Sequence, residues 1–496
     1  PIPTTVNGGV TLGRGGDAMT VSWKIRGGLA WSDGHPLTCD DFKYAWEWVM
    51  TEGNVASTAG FEDITDFECA SATDMIWHFG KVYEGYLTLM KAPLPRHALA
   101  SIPIADQVKG AGFRPDEVAT MPVSGPFKFA SVAPQADLRL ARNDNYVNPR
   151  TGLAANLDKV NFKWYEDVDT MIAGFRAGQI DIALDLQDAD IPKVRDLGDQ
   201  VVSAAALGYE LLRLNWSPAS DFDESIRNGG CSRSAAVADR GAGCPMADPA
   251  MREAVAYAID KNEINTRLLG GNARIADTSI SPSAWFHAAQ AAPTFDPARA
   301  NSILDAAGWA RGVDGVRAKG GLTARIELCT TTGETRKDTL ELIAAWLRAV
   351  GIDSVISDVD PKDILADYSE ATLDTPCALS TGNFDLAEHA ITPSIDPLGN
   401  YSVYSSTQFH PGGANDARVN DADIDKALEA VRNSVDFAVI RDAMAAFQEA
   451  YVAKTVEIPL YYRRNAELAG PRIGNFFANG TDAGSTWNAE DWFARG

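Results

Sequence analysis

Six cysteines, six histidines and a run of aspartates are the side chains of this 496-residue sequence whose types could do chemistry. Their spacing decides how much. Cys39, Cys69, Cys231, Cys244, Cys329 and Cys377 contain no Cys-x-x-Cys, and no two histidines stand at ligand spacing, which argues against a structural zinc centre. An even number of cysteines without metal spacing suits disulfides made in an oxidising compartment. Six cysteines allow fifteen pairings. Joining nearest neighbours gives Cys39–Cys69, Cys231–Cys244 and Cys329–Cys377, the middle pair clipping a Gly- and Ser-rich insertion that has no apolar period of its own. Asp421, Asp423 and Asp425 occupy the first three ligand positions of a calcium loop. Lys426 holds the place that needs Gly and Arg432 the place that needs Glu, so these aspartates are read as caps of the next helix. No Gly-x-Ser-x-Gly, His-Glu-x-x-His or Walker loop occurs, and the glycines between Gly8 and Gly16 follow no strand, as a dinucleotide turn requires. No catalytic group, cofactor or metal ligand is assigned. A hydrolase reading would need two carboxylates paired across a cleft, which sequence cannot place.

The elements that must position any site read clearly. Residues 20–26 alternate, with Val21, Trp23 and Ile25 on one face, and residues 32–36 (SDGHP) make a turn. Thr38 then caps a helix with Asp41 three residues on and Phe42, Ala45, Trp46 and Val49 as its stripe. Loose alternation over 64–79 and a helix-like stretch over 83–90 complete an α+β unit. Strands are expected at 127–129, 138–140 and 160–164, then a helix capped by Asp169, then a strand over 179–183. That strand-helix-strand order predicts parallel pairing and a cleft wall at Leu184 to Gln187, beyond the strand end. Strands at 209–215 and 325–328, capped helices beginning at Asp248-Pro249 and Asp296-Pro297, a helix over 340–350, a strand over 352–355 and two late helices follow. The segment 457–462 returns as a strand.

Several of these runs resemble one family. LAWSDGHPLTCDDFKYAW is similar to the hallmark segment of the family 5 extracytoplasmic solute-binding proteins, the oligopeptide and dipeptide receptors of ABC importers, with Cys39 where Ala is usual. KAPLPRHAL, VSGPFKF, AGQIDIA, MREAVAYAIDKNEI and FDPARANSILDAAGW resemble further motifs of that family. The resemblance implies an α/β, two-lobed periplasmic-binding-protein-like fold (type II, cluster C-like) with an extra small α+β subdomain. Residues 1–122 would form the subdomain, 123–214 with 463–496 the first lobe, and 215–462 the second. The family's strand after the first lobe, here 209–215, would enter the second.

The family's cleft-crossing segment matches 383–404, NFDLAEHAITPSIDPLGNYSVY, whose backbone would pair with an extended ligand as an added strand. By position that role falls on Glu388, His389, Ala390, Ile391 and Thr392, with Leu186 and Gln187 on the opposite wall. Trp216, Trp285 and Tyr404, in loops at lobe edges, would cover a side chain or sugar. The aspartate that neutralises a peptide's α-amine in the family falls on Pro393, and Glu388 or Asp396 would have to substitute. The expected function is capture of an oligopeptide, or of an oligosaccharide, opine-like or metal-chelate solute, by a monomeric receptor that delivers it to a membrane ABC permease. A secreted hydrolase using the same cleft and a surface sensor are the competing readings.

Composition agrees. With 45% hydrophobic and 22% charged residues the chain is an ordinary globular one, long enough for two or three cores. Its 44 basic against 67 acidic residues give a net charge of −23, without a basic cluster, which excludes nucleic acid as a partner. The first residues, PIPTTVNGGV, hold neither an initiator Met nor a signal peptide. Family members carry a leader or lipoprotein signal and several tens of first-lobe residues before this point, so a truncated or processed chain is expected, with an extracytoplasmic location in the periplasm or at the cell surface.

Overall fold

The computed structural model describes residues 2–51, 58, 60–89, 92–107, 109–133, 137–187, 190–217, 222–223, 228–481 and 483–495. Its first unit is an antiparallel sheet of β1 (Val10–Leu12), β2 (Met19–Lys24), β3 (Ile64–Cys69) and β4 (Asp74–Phe79), in the order β1-β2-β4-β3. Period-two alternation turns Val21, Phe67 and Trp77 to one face, and α1 (Cys39–Val49) closes the core there. Asp41, buried, accepts from the Thr38 N–H at 2.9 Å, the Trp31 indole at 3.2 Å and the Arg96 N–H at 3.1 Å, so one carboxylate holds the helix start to two loops. The Cys39–Cys69 disulfide ties α1 to the end of β3. The stretch expected as a helix over 83–90 forms only a 3-10 turn, Glu84–Leu87, and Met90 and Lys91 lie outside the described residues.

The next strands, β5 (Phe127–Ala133), β6 (Asp137–Arg142) and β7 (Lys159–Lys163), make a separate antiparallel sheet. The expected parallel unit is not formed. After α3 (Val168–Arg176), capped by Asp167 rather than Asp169, the chain enters β8 (Ile182–Leu186), which pairs antiparallel with a strand from the far end of the chain. Strand-helix-strand order permits a parallel pair only when both strands join one sheet, and β7 and β8 do not.

Two long strands organise the rest. β9 (Val201–Leu214) and the last long strand, β14 (Glu457–Ala469), run antiparallel side by side, with irregular register on either side of Tyr461 and Tyr462. One half of the pair lies beside β8. The other lies among β10 (Arg274–Ile275), β11 (Arg325–Thr331), β12 (Asp353–Val359) and β13 (Leu386–Ile391), giving the order β10-β14-β9-β13-β11-β12. The β11–β12 pair is parallel, joined through α7 (Glu334–Ala349), as the sequence predicts. Alternate residues of β9 face two cores. Leu212 and Leu214 pack on α4 (Pro249–Ala258), α6 (Pro297–Ala306) and α7, whereas the Tyr209 face meets α8 (Gly399–Tyr404), α9 (Ala422–Arg432) and α10 (Phe437–Ala453). Burial on both faces is why this strand reads as a continuous apolar run. Between α4 and α6 lies α5 (Lys261–Leu268), capped by Asp260. Cys231–Cys244 and Cys329–Cys377 are disulfide-bonded, each with Cα atoms less than 6 Å apart (5.8 and 5.7 Å). Asp421 caps α9 and also holds Lys454, so the aspartate run serves a helix start.

Candidate functional site

The segment singled out for ligand contact becomes β13, and its pairing changes along its length. Leu386, Ala387 and Glu388 pair with β11 on one edge and β9 on the other. β11 ends at Thr331, one residue past the Thr330–Glu388 pair, so His389, Ala390 and Ile391 pair with β9 alone. Among the described residues an open strand edge therefore begins at His389, with Thr392 exposed beyond it. Such an edge offers backbone donors and acceptors to an extended chain. Glu388 cannot offer its backbone in this way, because both its edges are already paired.

The side chains beneath that edge form two buried polar groups, one on each face. On the first, Arg213 lies directly across from Glu457, forming a 2.8 Å ion pair whose atoms are not aligned as a hydrogen bond. The Tyr404 and Tyr451 hydroxyls donate to the other Glu457 oxygen at 2.9 and 3.0 Å, and the Tyr209 and Tyr404 hydroxyls meet at 2.9 Å. Burial, then the Glu457 charge, pushes the Tyr404 phenol far up, so it stays a donor. The Arg213 Nε donates to His389 Nε2 at 3.1 Å, and Nδ1 of the same ring lies 3.2 Å from the Ala390 carbonyl. These two partners fix a neutral ring with its proton on Nδ1. Burial, then the Arg213 charge, pushes His389 down to about 3.

On the opposite face Arg336, in the first turn of α7, forks onto Glu210 at 2.9 and 2.6 Å and reaches the Thr331 hydroxyl at 2.6 Å. Glu388 lies near this pair, fully buried, and neither of its oxygens makes a well-formed hydrogen bond. Burial, then the Glu210 charge, pushes its carboxyl well up, with Arg336 and Thr339 partly opposing. Burial thus disfavours the charged carboxylate that pairing with a ligand ammonium would use. Asp396 is engaged elsewhere. It accepts from the Thr88 hydroxyl at 2.6 Å and faces Glu84, joining the small subdomain to the segment after β13.

The other expected ligand contacts separate. Leu186 is buried core, packed with Phe175 and Leu468, and takes no part in a cleft wall. Gln187 is exposed and binds the Arg463 guanidinium, beside the crossing of β9 and β14. Trp216 is in a loop as expected, but half-buried as a wedge between the two large cores. Its indole donates to the Val456 carbonyl at 3.1 Å and the Arg252 guanidinium stacks on its ring at 3.7 Å. Tyr404 is buried at the end of α8 in the phenol cluster. Trp285 remains 40% exposed, edge-on to Phe286 and Phe437. A cavity of about 480 Å³ lies between the small subdomain and the loop after β6, lined by Trp23, Arg26, Phe42, Trp77, Asn145 and Tyr146. None of the singled-out residues borders it. Sequence reasoning missed Arg213, Glu457, Glu210 and Arg336. Charged residues inside otherwise apolar strands, as in YELLRLN, were the one available signal.

With this geometry in hand, comparison with known proteins is informative. The family model described as "Bacterial extracellular solute-binding proteins, family 5 Middle" matches residues 15–412. The chain is 24% identical over 429 residues to "Oligopeptide-binding protein AppA" of Bacillus subtilis, covering 83% of this chain and 70% of that protein. It is also 24% identical over 488 residues to a putative ABC transporter peptide-binding protein of Brucella ovis, covering 96% and 82%. Among solved structures, NikZ from Campylobacter jejuni in complex with Ni(L-His) is similar with a TM-score of 0.74 at 19% identity, covering 98% of this chain and 90% of that one. The Bacillus subtilis AppA complex with a nonapeptide gives 0.72 at 21% identity, covering 98% and 89%.

Proposed function

The chain belongs to the family 5 bacterial extracellular solute-binding proteins, and from that premise we propose that it is a receptor for extended, peptide-like solutes, which it delivers to a membrane ABC permease. The observation that supports this most is the open edge at His389–Ile391, which continues a strand whose preceding residues are paired on both sides. A ligand lying there takes the place β11 vacates, with backbone hydrogen bonds supplying affinity that is indifferent to side chains. The Arg213–Glu457 pair and neutral His389 hold the strand from beneath. Pro393 stands at the family's acidic position, while burial pushes the Glu388 carboxyl well up and Asp396 is engaged by Thr88. Recognition accordingly rests on the ligand's backbone rather than on a free α-amine.

The division into a subdomain of residues 1–122, a first lobe of 123–214 with 463–496, and a second of 215–462 completes the reading. The irregular register around Tyr461 and Tyr462 is the place for the lobes to bend about β9 and β14. The names of the relatives point to binding rather than turnover, which favours a receptor over a hydrolase.

Native mass spectrometry of the purified protein identifies retained cargo, and hydrogen exchange locates it. With a mixed pool of four- to nine-residue peptides, both free and N-acetylated, amides within 389–392 should gain protection with either set. Protection elsewhere alone, or steady cleavage of the peptides, would overturn the reading. Protection by the free set only would restore an amine anchor.

A further inference from the structure

Outside the cleft, the turn at Ser32–Pro36 brings three metal-ligating groups together. Asp33 Oδ2 lies 2.7 Å from His97 Nε2 and 3.2 Å from His35 Nδ1, and each of the three residues offers one ligand atom within 4.8 Å of the other two. The two imidazoles stack with centroids 4.1 Å apart and planes 15° apart. We propose that Asp33, His35 and His97 form a surface site for one divalent transition ion of the zinc, nickel or copper class.

The chemistry of the donor set selects that class. Two imidazole nitrogens and one carboxylate oxygen suit borderline ions, whereas calcium and magnesium want oxygen ligands throughout. Bonds of roughly 2.0–2.2 Å to each donor place the donors of a tetrahedral ion about 3.3–3.5 Å apart. The 3.2 Å contact already fits, and the 2.7 Å contact has only to open slightly. Three protein donors leave one position for water, which the exposure of all three residues allows.

The ligands sit on a stiff frame although they are exposed. The Gly34 backbone takes φ +92, which forms the tight turn between Asp33 and His35. Asp33 Oδ1 accepts from the His35 N–H at 3.1 Å, which aims Oδ2 at the two rings. The turn is tied to Val123 by the Ser32 N–H and hydroxyl, and the Asn145 amide donates to the Trp31 and Ser32 carbonyls. His97 is carried by α2 (Arg96–Leu99), whose first N–H is held by Asp41. The net charge of −23 concentrates cations at the surface. Among the described residues, the other group with suitable atoms, Glu327 with Cys329 and Cys377, offers no thiolate because its cysteines are disulfide-bonded.

Calorimetric titration of the tag-free chain with zinc chloride, and separately with nickel chloride, tests the site. One equivalent should bind, and His35→Ala and His97→Ala should each weaken binding by about 10- to 100-fold, while His78→Ala leaves it unchanged. Copper(II) should quench Trp31, whose ring lies 6.1 Å from that of His97, in the parent chain but not in His35→Ala. Stoichiometric binding that survives the His35→Ala/His97→Ala double substitution, or no saturable binding by the parent, would overturn the proposal. If His97→Ala fails to fold, His35→Ala decides alone, since the His35 side chain is 60% exposed and its loss should leave the near-ultraviolet circular dichroism unaltered. The peptide pool should not compete with the metal.

Discussion

His389 shows how a titratable residue becomes a fixed strut. It is 4% exposed, accepts from Arg213 and lies beside the edge proposed for the ligand. Its folded value of about 3 lies well below the ordinary 6.5, so the unfolded chain takes up the proton first as pH falls. The stability it contributes is present above about pH 6.5 and is lost as pH falls towards about 3. In an NMR titration its ring should stay neutral from pH 8 to about pH 4. His389→Ala leaves the Arg213 Nε without its acceptor and should cost about 1–3 kcal/mol in urea unfolding at pH 7.5. An unchanged midpoint would show that the Arg213 bond adds nothing. The sequence could not show this role. A histidine in LAEHAI looks like any other until Arg213, 176 residues away, is folded against it.

At the scale of elements, β9, paired with β14 on one side and β13 on the other, backs the open edge. Gly208 sits where β9 passes Ile391 and Thr392. A Cβ there would stand 3.2 Å from the Ile391 carbonyl oxygen and 3.2 Å from the Thr392 hydroxyl, so any larger side chain must push that edge outward. Gly208→Val should therefore weaken peptide binding by about tenfold or more, the order expected of a contact worth about 1.4 kcal/mol. The nearest atoms to that Cβ belong to the edge and Arg463 alone, so global unfolding should be affected far less. Isothermal titration beside a thermal melt separates the two, and equal losses in both would refute the assignment. Local signals made most elements legible. Asp248-Pro249 and Asp296-Pro297 begin helices because the cap and the fixed φ act within one turn. The same signals placed β7, α3 and β8 but not their pairing: β7 joins β6, and β8 joins β14, nearly 300 residues later in the chain.

Across the whole molecule, a seam joins the small subdomain to the segment that follows the open edge. Asp396 accepts from Thr88 and faces Glu84, with the Tyr83 and Tyr86 phenols, Asp63 and Arg432 as the other charged or titratable company. Burial, then the hydrogen bond and charge of Asp396, pushes Glu84 up to about 10, so the folded seam holds a proton that the unfolded chain releases near pH 4.5. The seam is most stable below about pH 4.5 and weakens as pH rises towards about 10. Thermal stability should accordingly fall between pH 5 and pH 9. Glu84→Gln should flatten that slope and gain about 1 kcal/mol at pH 8, within the usual range of single substitutions. A slope unchanged in the variant would place the sensitivity elsewhere.

The amino-acid sequence by itself determined what is written in local pattern. That covers the capped helices, the Asp-Gly turn, the β11–α7–β12 unit and the motifs that identify the family, together with a nearest-neighbour cysteine pairing that matches the bonded pairs in the structure. Only the tertiary structure decided which strand edges are paired and which aromatic side chains are buried. Leu186 and Tyr404 look like exposed wall or loop residues until β14 and α10 pack over them, and the Glu388 carboxyl is pushed up only when buried near Glu210. Caps and turns draw on interactions within a few residues. Edge pairing, burial and the electrostatics that follow from them depend on partners scattered along the whole chain, which only the folded molecule brings into contact.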